Sequence, residues 1–149
     1  MGQIRILLKD GSSRNYEQGV TLEQIALDIS PRLRKAAVAG LVDGVMVDLT
    51  YRPQDGSVVE IVTEDSEEGL SVIRHTAAHI MAQAVMRLFD GVKLGIGPSI
   101  EDGFYYDFDL DHRLSPEDLE RIEEEMRKII AEDLPIVRVE LPREEALRK

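Results

Sequence analysis

Residues 4–29 read IRILLKDGSSRNYEQGVTLEQIALDI, and three signals in that order set the architecture. Ile4 to Leu8 is β-branched and aliphatic, as a strand is. Asp10-Gly11 is a turn pair that brings the chain back through Arg14 to Tyr16 as a hairpin. Thr21 then opens a helix: its hydroxyl caps the first turn, and Gln24 stands where a capping box places its second partner. Leu22, Ile25, Ala26 and Ile29 form the apolar stripe of that helix, and Pro31 closes it. Outward from here the spacing predicts further short strands at Ala36 to Ala39, Val45 to Leu49 and Val58 to Val62. Gly40, Asp43-Gly44 and Pro53 to Gly56 separate them. A hairpin, a helix and returning strands predict an α+β class with an N-terminal β-grasp, ubiquitin-like domain over residues 1–64.

Glu64-Asp65-Ser66-Glu67-Glu68-Gly69 is polar and acidic and marks the expected boundary. Residues 65–149 read as the start of a second α+β domain. A helix is predicted from Leu70 to Phe89, with Ile73, Ala77, Ile80, Ala84 and Leu88 on one stripe. At about 100° per residue, His75 and His79 fall almost opposite that stripe, on a face shared with Ala82 and Met86. No charged residue stands between His75 and Met86, so both sides of this helix are expected to be covered or to line a pocket. A strand is predicted over Gly103 to Leu110, with Phe104, Tyr106, Phe108 and Leu110 on one face. Ser115 as cap, Pro116 in the first helical position, and Glu117 and Asp118 at the positive end announce another helix. Leu119, Ile122, Met126, Ile129 and Ile130 are its expected inner face. Leu134 to Leu141 reads as a strand, and Pro142 starts a helix that the chain leaves after a turn, so truncation is expected.

Composition bounds the function. In 149 residues, 43% are hydrophobic and 32% charged, which fits a globular chain. No apolar run approaches a membrane span and no leader is read, so a cytoplasmic location is expected. Cysteine is absent, which excludes disulfides and thiolate chemistry within these residues. Twenty-nine acids against 18 bases leave a net charge of −11. Nucleic-acid binders neutralise phosphates with Lys and Arg, so any such contact must be local or supplied by other domains.

The sharpest chemical signal is His75-Thr76-Ala77-Ala78-His79. Histidines four apart on a helix point the same way and can share a substrate or a metal. The zinc-protease motif needs a glutamate directly after the first histidine, and Thr76 stands there. No residue is picked out as a third metal ligand, so no metal site is assigned, and two packed, satisfied histidines remain the alternative. Gly95-Ile96-Gly97-Pro98 lacks the Lys-Ser/Thr ending of a phosphate loop and precedes a strand; it reads as a bend where backbone runs close to something. Tyr106 is notable because a buried phenol needs a hydrogen-bond partner. Glu117, Asp118, Glu120, Glu123, Glu124 and Glu125 read as a solvated helix face.

Several motifs together carry a resemblance: Glu68-Gly-Leu, Ile73-Arg-His75-Thr-Ala-Ala-His79, Leu94-Gly-Ile-Gly97-Pro98, Asp102-Gly-Phe-Tyr-Tyr106-Asp and Leu114-Ser-Pro-Glu-Asp-Leu119. This second segment resembles the N-terminal extension of bacterial threonyl-tRNA synthetases, and the first resembles the family's small β-grasp (TGS) domain. Alanyl-tRNA synthetase and its free-standing editing relatives share the two-histidine helix, but the β-grasp start favours the threonyl family.

The resemblance implies a full-length class II enzyme, a homodimer, that joins threonine to tRNA(Thr) with ATP, Mg and Zn held by a catalytic domain beyond these residues. It implies that the second domain hydrolyses mischarged seryl-tRNA(Thr). Serine lacks only a methyl group, and one such group gives about 10- to 200-fold discrimination. By this resemblance His75 and His79 orient water and the terminal ribose, while Tyr106, Gly97 and Pro98 line the pocket. The second half of the family's editing motif, a cysteine and a histidine with a helping lysine, is not in this chain. The chain is therefore expected to be inactive alone and to bind the tRNA acceptor end weakly. Two rival readings stand beside this one: a self-contained editing hydrolase, and a non-catalytic β-grasp module with a protein partner.

Overall fold

A computed structural model describes residues 2–148. The chain divides into two compact units: one runs up to His79 and takes in Leu94–Asp107, and the other comprises Ile80–Lys93 and everything described from Phe108 onward.

In the first unit the elements are β1 (Gln3–Leu8), β2 (Ser13–Glu17), α1 (Leu22–Ile29), α2 (Pro31–Ala36), β3 (Ala37–Val42), β4 (Val45–Val47) and β5 (Val58–Thr63). Five strands form one sheet in the order β2-β1-β5-β3-β4, with β1 parallel to β5 and the other neighbours antiparallel. This is the β-grasp, ubiquitin-like arrangement expected from the order of elements. Alternation puts Ile4 and Ile6 of β1, Val42 of β3 and Val59 of β5 on one face, where they meet Leu22 and Ile25 of α1. The Thr21 box is complete: Thr21 Oγ1 accepts from the Gln24 amide at 3.2 Å, and Gln24 Oε1 accepts from the Thr21 amide at 2.9 Å.

Two readings of punctuation are corrected. Pro31 does not merely end a helix; it occupies the first position of α2, capped by Ser30, whose hydroxyl accepts from the Leu33 amide. Gly40 does not separate strands; it lies inside β3, where a Cβ would overlap the Leu22 side chain. The break comes at Asp43-Gly44, both at positive φ.

Helix α3 (Glu67–Leu88) begins in the first unit and ends in the second. The two-residue strands that follow are β6 (Lys93–Leu94), β7 (Ser99–Ile100), β8 (Gly103–Phe104) and β9 (Phe108–Asp109). The continuous strand expected over Gly103 to Leu110 is thus interrupted at 105–107. In the second unit, α4 (Pro116–Glu132) packs Ile122 and Ile129 against Ala84 and Val85 of α3, with Phe108 and Met126 at the margin. Leu119 and Ile130, expected inside, are exposed. Residues 134–141 form no strand, and Ile136 and Val137 are 75% and 72% exposed. The alternation is there, but a ladder needs a neighbouring strand to pair with. A last short helix, α5 (Arg143–Ala146), follows. Among the described residues no helix is long and apolar enough to cross a membrane.

Candidate functional site

The histidines owe their placement to the junction between β5 and α3. The Ser66 hydroxyl donates to the Thr63 carbonyl at 2.8 Å and accepts from the Gly69 amide at 3.0 Å, as a helix-capping side chain does. Gly69 lies so close to the Thr63 carbonyl that a Cβ would overlap it. The first turns of α3 therefore leave the β-grasp sheet along a fixed path.

On that helix His75 and His79 face each other, with Nε2 to Nε2 at 3.1 Å and ring centroids 4.5 Å apart, nearly perpendicular. At this separation the two nitrogens are within hydrogen-bonding reach, one as donor and the other as acceptor according to the tautomers. Both residues are exposed. Ala82 is buried but Met86 is 54% exposed, so the histidine side of the helix is open and not covered along its length. Ile73, on the expected apolar stripe, is 38% exposed, whereas Ala78 and Val85 are fully buried.

Tyr106 arrives from the Leu94–Asp107 segment. Its ring meets His79 edge-on, with centroids 6.1 Å apart and planes at 80°. Gly97 lies against the face of the same ring, and a Cβ there would overlap it. That identifies what the Gly97-Pro98 bend runs close to. The segment is held at its base by the Gly95 amide donating to the Asp107 carbonyl and the Asp107 amide donating to the Ile96 carbonyl, both at 2.9 Å. Ser99 and Ile100 pair with Phe104 and Gly103 in the β7–β8 hairpin. His75, His79, Tyr106 and Gly97 are thus brought together within one unit, with Pro98 beside Gly97 in sequence.

Sequence reasoning missed the residues that fasten this hairpin to α3. Ser71 Oγ and Ser99 Oγ are 3.0 Å apart, and Arg74 Nη1 donates to the carbonyls of Glu101 at 2.5 Å and Ile100 at 3.4 Å. One signal was available: Arg74 is the single Asp, Glu, Lys or Arg between Gly69 and Met86.

The third histidine does other work. In the second unit His112 Nε2 lies 2.6 Å from Asp118 Oδ2 and its ring stacks on Phe89. Asp118 also accepts from the Ser115 amide and hydroxyl. The hydrogen bond with His112 comes first, and that with the Ser115 amide next, in pushing its carboxyl down to about 2. Asp118 is therefore a buried cap residue and not part of the solvated face, whereas Glu117, Glu120, Glu123 and Glu124 are exposed as expected. A catalytic zinc usually takes three protein ligands. His75 and His79 supply two, and among the described residues no group of three or more His, Cys, Asp or Glu is placed to hold a metal ion.

The sheet order and the histidine–tyrosine cluster can be set beside known proteins. A family profile described as the TGS domain matches residues 4–63. A threonine–tRNA ligase of Geobacillus kaustophilus is 53% identical over 146 residues, which are 97% of this chain and 22% of the ligase. Over nearly its whole length this chain is similar to the N-terminal part of bacterial threonine–tRNA ligases. The ligase of Desulforamulus reducens is 54% identical over 97% of the chain, and threonine–tRNA ligase 1 of Bacillus subtilis 49% identical over 96%. The chain spans 22% to 23% of the length of these ligases. The match therefore takes in the TGS domain and continues through the histidine helix and the Tyr106 segment.

Proposed function

We propose that this chain is the editing half-site of an ATP-dependent class II threonine–tRNA ligase, one wall of a site that hydrolyses seryl-tRNA(Thr). The observation that carries the reading is the 3.1 Å approach of the His75 and His79 Nε2 atoms beside Tyr106, in a chain about half identical to threonine–tRNA ligases. In the reaction, water attacks the seryl carbonyl carbon, the bond to the ribose oxygen breaks, and a proton passes from the water to that oxygen. When water and substrate take the place of the bond between the two rings, an imidazole whose Nε2 is free of a proton accepts from water, and its neighbour's Nε2–H donates to an oxygen of the ester or ribose. A pair with one donor and one acceptor nitrogen side by side offers both functions, and exposure leaves it open to a large substrate. Tyr106 borders the His79 imidazole, and Gly97 borders Tyr106 with Pro98 next to it in sequence.

Residues 65–149 are on this reading the first part of the editing domain. The cysteine, histidine and lysine of the family pattern belong to chain farther along, so this part alone is inactive and binds the tRNA acceptor end weakly. ATP, Mg and Zn belong to the aminoacylation domain; the whole ligase is a homodimer and works in the cytoplasm. The test is ester hydrolysis on seryl-tRNA(Thr), with this chain alone and as the N-terminal part of a complete ligase. Hydrolysis by the complete ligase, lost in His75→Ala and His79→Ala by a factor of about 100 or more, is the expected result. Hydrolysis indifferent to both substitutions overturns the reading, and His75-dependent hydrolysis by this chain alone favours the self-contained hydrolase.

A further inference from the structure

We infer that Arg74 is a positioning residue for this site: it ties the tip of the β7–β8 hairpin to α3 and so holds Tyr106 beside His79. The inference rests on the editing reading for its catalytic consequence, but its geometry stands apart from it. On α3, Ser71 and His75 are one turn apart, as are His75 and His79, and Arg74 lies at the edge of that line. The surface that carries the imidazoles therefore continues directly into the surface that grips the hairpin.

The hairpin needs the grip. Its ladder has only two residue pairs, Ser99 with Phe104 and Ile100 with Gly103, and an isolated two-stranded hairpin is marginal in water. The two bonds between Asp107 and Gly95-Ile96 close its base, and Arg74 bonds the carbonyls of Ile100 and Glu101 at the start of its turn. Both arms then pass to the site: Gly97 precedes Ser99 on one, and Tyr106 follows Phe104 on the other, ring against Gly97 and edge toward His79. Both contacts leave the same nitrogen, Nη1, with the short one to Glu101 carrying the grip, so the guanidinium pins the carbonyl at the start of the turn to α3. Without it, the Ser71–Ser99 contact alone fastens the hairpin to α3, and Tyr106, on the arm that follows Phe104, is the side chain that meets His79.

The experiment has a structural and a catalytic arm. In the 149-residue chain, NMR follows the cross-peak between the Tyr106 ring and the His79 imidazole in wild type, Arg74→Ala and Arg74→Lys. The expected result is loss of the cross-peak in Arg74→Ala, partial retention in Arg74→Lys, and unchanged methyl signals from Ile6, Ile25 and Val59 in the β-grasp core. A full-strength cross-peak in Arg74→Ala overturns the inference. In a complete ligase carrying these residues, Arg74→Ala lowers kcat/KM for seryl-tRNA(Thr) hydrolysis about tenfold. In a Tyr106→Ala background the same change costs nothing further, because Arg74 acts through Tyr106. Additive losses overturn the inference. Loss of the cross-peak in a ligase that shows no editing at all sinks the editing reading and leaves the positioning role supported.

Discussion

Gly97 shows how one missing side chain builds a site. The Tyr106 ring occupies the space where a Cβ would project, and that ring meets the His79 ring nearly at right angles. Gly97→Ala therefore forces the ring away from its seat. Overpacking of this kind costs about 1–3 kcal/mol, and a thermal melt of the variant is expected to show a lower midpoint, with the Tyr106–His79 cross-peak weakened. An unchanged melt and an unchanged cross-peak together refute the packing account. At this scale the spacing of His75 and His79 was legible, because helical geometry alone places residues four apart on one face. The bend at Gly95 to Pro98 was legible as a close approach, but its partner was not. The contact joins residues far apart in sequence, and nothing in local pattern names the ring that fills the gap. Arg74 was visible as a lone charge on an apolar stretch, yet its acceptors are backbone carbonyls, which no sequence pattern advertises.

Among the elements, α4 has the fullest set of start signals, and the structure uses each of them. Ser115 accepts from the Asp118 amide at 3.3 Å, Asp118 accepts from the Ser115 amide at 2.9 Å, and Pro116 fills the first position. Ser115→Ala is expected to destabilise the second unit by about 1 kcal/mol, read as a shift in the denaturant midpoint. The Asp118 carboxyl titrates at about 2, below its ordinary value near 3.8. A depressed carboxylate contributes stability that is complete above the ordinary value and is lost as pH falls toward the folded one. Helicity of α4 is thus expected to be flat above about pH 5 and to decline between about pH 4 and 2, which circular dichroism in wild type and Asp118→Asn checks. A wild type and variant with identical acid profiles contradict this. Residues 134–141 make the opposite case. Their alternation reads as a strand, yet Leu134, Ile136, Val137 and Val139 stand more than half exposed, because propensity supplies only one side of a ladder. Their amides are expected to exchange close to the unprotected rate, while those of β1, β3 and β5 are protected. Protection of 134–141 in the isolated chain contradicts the observed lack of pairing.

For the whole molecule, the order hairpin, helix, returning strands carried the β-grasp fold, since each element is signalled locally and connections between them are short. The discontinuous membership of Leu94–Asp107 was beyond reach, because a pattern read along the chain has no term for segments that return. Charge acts at this scale too. With a net charge of −11, the chain has few bases from which to release counterions on a phosphate backbone. Its affinity for tRNA(Thr) is expected to be weak and nearly flat between about 50 and 200 mM salt, measured by filter binding. A steep fall with salt, as for a protein touching many phosphates, refutes that expectation and revives an RNA role for the β-grasp unit.

The Thr63–Ser66–Gly69 contact bears on how such a protein may be cut apart. The TGS match ends at residue 63, which invites a scissor mark between 63 and 64. Yet the carbonyl of Thr63 is the acceptor for Ser66, and Ser66 in turn holds the Gly69 amide. Severed there, the downstream piece would keep both histidines but begin with a frayed first turn. A recombinant piece that retains the last strand of the sheet is the one that inherits the helix start intact; modularity drawn from sequence families and modularity of the polypeptide part company over three residues.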